Sequence, residues 1–245
     1  MAKQTGIVPL AGTLGGINFY MRKGKPVARR AGGGFTGEAI RKSPSMARVR
    51  ENNTEFGHCS RVKKVFKDSL LPFLGRHRNE ELQGRLMRLF LAIKDADQAS
   101  ERGRRHIGVG LEYAAGKALL EGFCFTPFCL PTHNCSHDAA TATYTLHGLD
   151  PKGLDFMPGA THLELQFGVV ALDLEALKAS LYSSEVVRVA KKGGVQSISL
   201  PADVPQEATG IRIGVLHYRF SQEVNGAFYG FQEQDGFGLK VVWVE

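Results

Sequence analysis

Five side chains able to bind a soft metal fall within fourteen residues: Cys124, Cys129, His133, Cys135 and His137. Thiolate and imidazole at this density can close a tetrahedral zinc site, which would staple the segments on either side of it. The gaps between successive candidates are four, three, one and one residues, without the two-residue knuckle from which a pair of thiolates binds on one tight turn. The spacing favours a connecting segment with unpaired thiols, and zinc is the only cofactor these residues suggest.

A second chemistry is phosphate recognition. Basic residues cluster at Arg22-Lys23-Gly24-Lys25 with Arg29-Arg30, at Arg41-Lys42 with Arg48 and Arg50, at Arg61, Lys63, Lys64 and Lys67, and at Arg102, Arg104, Arg105 and His106. Such charges bind nucleic-acid backbones, and Phe19, Tyr20 or Phe35 could stack on unpaired bases. Acids interleave with the later clusters, as on ordinary solvated helix faces, whereas residues 22 to 30 contain no acid.

Catalytic patterns are lacking. The sequence holds no GxSxG, HExxH, P-loop, kinase or deaminase signature. Gly12-Thr13-Leu14-Gly15-Gly16 has the composition of a phosphate-cradling loop but no following Lys-Ser/Thr, and Gly103-Arg104-Arg105-His106-Ile107-Gly108 has the glycine spacing without the lysine. Glu80-Glu81 and Asp95 with Asp97 are explained as helix-end residues. The chain is read as a non-enzyme.

The elements that would position these groups follow from periodicity. Ile17 to Met21 and Pro26 to Arg29 flank a turn at Gly24, which predicts a β-hairpin inside a glycine-rich opening. Ala31-Gly32-Gly33-Gly34 reads as a flexible joint behind it. Ser43 with Pro44 marks a helix start, and the apolar residues beyond it predict one long helix or two shorter ones ending near Pro72, with Gly57 as the place for a break. A helix after Asn79 carries Leu82, Leu86, Leu89, Phe90 and Ile93 on one face. A poorer one spans Gly103 to Leu120, weakened by Gly108, Gly110 and Gly116.

After Gly122 the pattern turns to strands. Runs at 142–146, 162–167, 186–189, 195–200, 211–220, 226–231 and 239–244 are rich in β-branched and aromatic residues, and Asn225-Gly226 is a strong hairpin turn. The expected class is α+β: a Gly-rich hairpin arm (1–35), a basic helical region (36–122) and an antiparallel Ig-like β-sandwich (123–245).

Composition sets the frame. The chain has 245 residues, 43% hydrophobic, enough for a packed core. Neither a signal-peptide pattern nor an eighteen-residue apolar run occurs, and four cysteines are few for a secreted scaffold, so a cytoplasmic protein away from membranes is expected. Residues 1–122 carry 23 Lys+Arg against 11 Asp+Glu, and residues 123–245 carry 8 against 13, a net +12 and −5. Two surfaces of opposite sign imply different partners, among them another copy of the chain.

One resemblance is carried by particular residues: Gly6-Ile7-Val8, Gly12 to Tyr20, Ala28-Arg29, Arg48 to Gly57, Arg102-Gly103, Leu120 to Phe123 and Phe220 to Gly226. The chain resembles a family of uncharacterised bacterial proteins, a domain of unknown function with a Gly-rich N-terminal hairpin, a helical middle and a C-terminal β-sandwich. The resemblance implies no activity, cofactor or catalytic residue, and the cluster from Cys124 to His137 is outside the family pattern.

The expected function is therefore a self-associating structural protein, a homo-oligomer or polymer. Ile17, Phe19 and Tyr20 are the expected anchors and Arg22, Lys25, Arg29 and Arg30 the steering charges, with nucleic-acid binding by the basic half as the alternative.

Overall fold

The computed structural model describes residues 2–6, 8–32, 36–75, 80–127, 129–130, 134–231 and 236–245. Gly33 and Gly34 of the joint, Phe35, Asn79 and His133 lie outside the described residues. The chain is α+β and divides into two compact units, Met1–Arg50 and Glu51–Glu245. Sequence reading instead divides it near residues 35 and 122.

In the first unit the expected hairpin is present and is the middle of a larger sheet. Strands β1 (Ala2–Lys3), β2 (Gly12–Leu14), β3 (Ile17–Arg22) and β4 (Lys25–Arg30) form an antiparallel sheet in the order β1-β4-β3-β2. Lys23 and Gly24 both take positive φ (48° and 72°), the backbone of a two-residue hairpin turn that matches strand twist. Gln4 ties the opening segment down: its amide donates to Val27 O at 3.0 Å and its Oε1 accepts from Leu10 N at 2.8 Å. A short helix α1 (Gly37–Lys42), capped by Thr36 Oγ1 accepting from Ala39 N, stands where sequence reading placed no helix. Arg50 donates to Ile40 O and Ser43 O at its far end.

The second unit begins in α2 (Ala47–Ser69), which runs unbroken through Gly57. Glu55, Cys59, Val62 and Phe66 form its buried stripe at spacings of four, three and four, while Phe56 on another face is exposed. A single turn α3 (Leu71–Leu74) and then α4 (Glu80–Asp95) follow; α4 buries Leu82, Leu86, Phe90 and Ile93, as its spacing predicts. The expected third helix is two, α5 (Ile107–Glu112) and α6 (Ala114–Leu120), bent at Tyr113, whose φ/ψ of −86°/140° is extended. Gly110 and Gly116 allow that bend to close. A Cβ on Gly110 would collide with Ile93 O, and one on Gly116 with Gly110 O.

The strands are β5 (Cys135–Asp138), β6 (Thr143–Leu149), β7 (His162–Asp173), β8 (Lys178–Ser183), β9 (Val187–Ala190), β10 (Gln196–Pro201), β11 (Ile211–Val224), β12 (Ala227–Gly230) and β13 (Phe237–Val244). All seven expected runs are found, and β5 and β8 are additional. A small antiparallel sheet has the order β10-β6-β5. The large one is built on β7 paired with β11, with β8 and β9 also on β7, and β12 and β13 also on β11.

Alternation along β7 explains the layering. Leu163, Leu165, Phe167 and Val169 point to a core shared with Tyr144, Leu146, Ile198 and Leu200 of the small sheet. Val170 and Leu172 point to the opposite core, shared with Val62, Phe66, Phe90 and Ile93 of the helices. The large sheet is thus covered by helices on one face and by a second sheet on the other. Among the described residues no helix is long and apolar enough to cross a membrane.

Candidate interaction surface

Cross-strand partners in an antiparallel sheet share a face. Ile17 pairs with Arg30 and Leu14, Phe19 with Ala28 and Gly12, and Met21 with Pro26. One face of the N-terminal sheet therefore carries Leu14, Ile17, Phe19, Met21, Pro26 and Ala28, with Arg30 as the only charge in these pairs. Tyr20 pairs with Val27, Val27 with Lys3, Arg22 with Lys25 and Asn18 with Arg29. The other face is thus basic, and the Arg29 guanidinium lies 5.6 Å from the Tyr20 ring centre.

The register separates residues grouped from sequence: Ile17 and Phe19 lie on the apolar face with Arg30, and Tyr20 lies on the other with Arg22, Lys25 and Arg29. Leu14, Met21 and Lys3 join the two faces without having been singled out from sequence. Strict alternation through Ile17, Phe19 and Met21 is the signal for Met21; strands of two and three residues give none for Lys3 or Leu14.

None of the described residues of the first unit is buried. Leu14 is 73% exposed, Met21 55% and Ile17 42%. Burying a side chain of this size is worth about 1.5–3 kcal/mol, so the face gains substantially from any cover.

The described members of the Cys/His cluster fall into one pair and two separate residues. Cys124 and Cys129 are paired as a disulfide with Cα atoms 6.3 Å apart, correcting the expectation of unpaired thiols. Both are held against β13: Cys124 bridges to Lys240, and Cys129 Sγ lies 3.6 Å from Leu239 O. Cys135 is an exposed thiol on β5, and His137 stacks on Trp243 at 3.9 Å. Among the described residues no group of three or more His, Cys, Asp or Glu side chains could hold a metal.

Residues 51 to 55 and 102 to 103 form a lock with Lys94. Glu55 and Lys94 are buried and joined at 2.8 Å, and Glu55 Oε1 accepts from Gly103 N at 2.6 Å. Arg102 donates to Asn52 Oδ1 and lies 3.6 Å from Glu51. Burial alone would raise the Glu55 carboxyl, but the Lys94 and Gly103 hydrogen bonds and the nearby cations outweigh it and hold it below the usual value. Asp97, also buried, accepts from the backbone N–H groups of Ala99, Ser100 and His106. The GxxxxG stretch at 103–108 therefore offers no open anion cradle, since a carboxylate already occupies the His106 N–H.

Comparison with known protein families, with curated proteins and with solved structures finds no match. The reading of function accordingly rests on geometry and charge.

Proposed function

We propose that this chain is a non-enzymatic assembly protein that self-associates through its N-terminal sheet, with a second copy as the partner. The observation that carries the reading is a four-stranded sheet without a buried residue whose exposed apolar side chains are gathered on one face. Charge favours a copy of the chain as the cover. Residues 1–50 hold ten Lys+Arg and one acid, and residues 51–245 hold 21 Lys+Arg and 23 acids. The arm is strongly positive, the remainder slightly negative, and a head-to-tail contact brings them together. Leu14, Ile17, Phe19 and Met21 act as anchors; Lys3, Arg22, Lys25 and Arg29 steer.

Light scattering of the full chain over a wide concentration range tests this. The expected result is a mass that rises with concentration and falls back at high salt, because the steering charges are exposed. A monomer under every condition overturns the proposal.

A second reading has its own observation, the basic face with Tyr20 beneath Arg29. A polyanion such as single-stranded nucleic acid fits that face, by phosphate pairing with base stacking on the tyrosine. It predicts binding that weakens steeply with salt and is reduced several-fold by Tyr20→Ala. Binding indifferent to both removes this reading and leaves the first intact.

A further inference from the structure

A cavity of about 140 Å3 lies in the second unit where the helical cover of the large sheet ends, lined by Pro72, Phe73, Glu164, Gln166, His217 and Arg219. Its walls depend on two glycines. Phe73 lies flat on Gly168, where a Cβ would come within 2.7 Å of the ring, and stacks on His217 with ring centres 4.9 Å apart and planes 8° from parallel. The Arg219 side chain crosses Gly230, where a Cβ would collide with it.

Two nitrogens around this cavity lack hydrogen-bond partners among the described residues. His217 and Arg219 are two apart on β11 and so share a face; both His217 Nε2 and Arg219 Nε are buried and unpartnered. His217 is only 8% exposed. The natural partner of Arg219 is Glu164, directly across the strand pair, but the Glu164 carboxylate is turned to Arg188 Nε at 3.0 Å. The Gln166 amide likewise donates to Ser184 O at 2.8 Å. Orphaned buried polar groups are rare and call for an occupant.

We infer that this cavity binds a small monocarboxylate, with Arg219 supplying the guanidinium, His217 a hydrogen bond from neutral imidazole, and Phe73 and Pro72 the apolar wall for a short aliphatic stub. Arginine matches a carboxylate in charge and planar geometry. The paired acid Glu164 at the rim disfavours ligands with a second negative charge. The volume admits a chain of two to four carbons, on a scale where one water occupies about 30 Å3.

Titration of propionate into the 15N-labelled full chain, followed on the His217 ring and Arg219 Nε resonances, tests this directly. The expected result is a saturable shift of both, absent with propionamide, the neutral isostere. Arg219→Met should abolish it and Glu164→Gln should tighten it several-fold, with circular dichroism confirming that each variant is folded. If the wild-type resonances do not move, or move equally with propionamide, the cavity holds only water or an unspecific guest and the inference falls. The wild-type titration decides this even if a variant fails to fold.

Discussion

His217 illustrates how one side chain sets a pH limit on the fold. Burial, and then the Arg219 charge, push its pKa from the ordinary 6.5 to about 3. Between those values the unfolded chain binds a proton that the folded chain refuses, so stability is full above about pH 6.5 and declines as pH falls toward 3. His58 and His137 shift the same way, both chiefly by burial. From about pH 7 to pH 5 His217 alone should remove roughly 2 kcal/mol, measurable as a lower urea midpoint. His217→Phe should flatten that slope; an equally steep slope in the variant would place the acid sensitivity elsewhere. The lock at Glu55 gives a second residue-scale prediction. Lys94→Met leaves a buried carboxylate with only the Gly103 N–H and should destabilise by about 3 kcal/mol, more than the conservative Lys94→Arg.

Elements were legible where a face repeats and obscure where it does not. The stripe of α4 and the Asn225-Gly226 turn, with φ of 53° and 81°, could be read directly. Strand β7 was only half read. Its run from Phe167 to Leu172 is buried without interruption, the pattern of a strand covered on both faces, and that pattern signals the helices packed on the sheet. Strands β5 and β8, with sequences CSHD and KASLYS, are polar and pair at sheet edges, so they carry no apolar run to detect. The bend at Tyr113 escapes because glycines weaken a helix pattern without saying what their missing side chains make room for. Gly110→Ala and Gly116→Ala should each cost about 3 kcal/mol or more, since the obstacle is backbone and cannot rotate away. Thermal unfolding checks this, and Gly57→Ala, with open space around it, should stabilise slightly by helix propensity.

At the scale of the molecule, the opposite charges seen along the sequence become sharper. The net positive charge is concentrated in residues 1–50, and within their sheet Lys3, Arg22, Lys25 and Arg29 sit on the face opposite Leu14, Ile17, Phe19 and Met21, with Arg30 alone among the paired cations on the apolar face. The sequence could show the hairpin and its charge but not that the face is two-sided, because that depends on pairing register across four strands, two of them too short to announce themselves. Self-association through the apolar face is most directly tested by sedimentation of the full chain beside Ile17→Ser/Met21→Ser and Arg22→Gln/Lys25→Gln. The apolar pair should weaken association about a hundredfold, from roughly 1.5 kcal/mol lost per side chain. The charge pair should mainly slow association and flatten its salt dependence. If the wild-type chain sediments as a monomer, or if the apolar substitutions leave its association unchanged, the face is not the contact and the assembly reading is wrong.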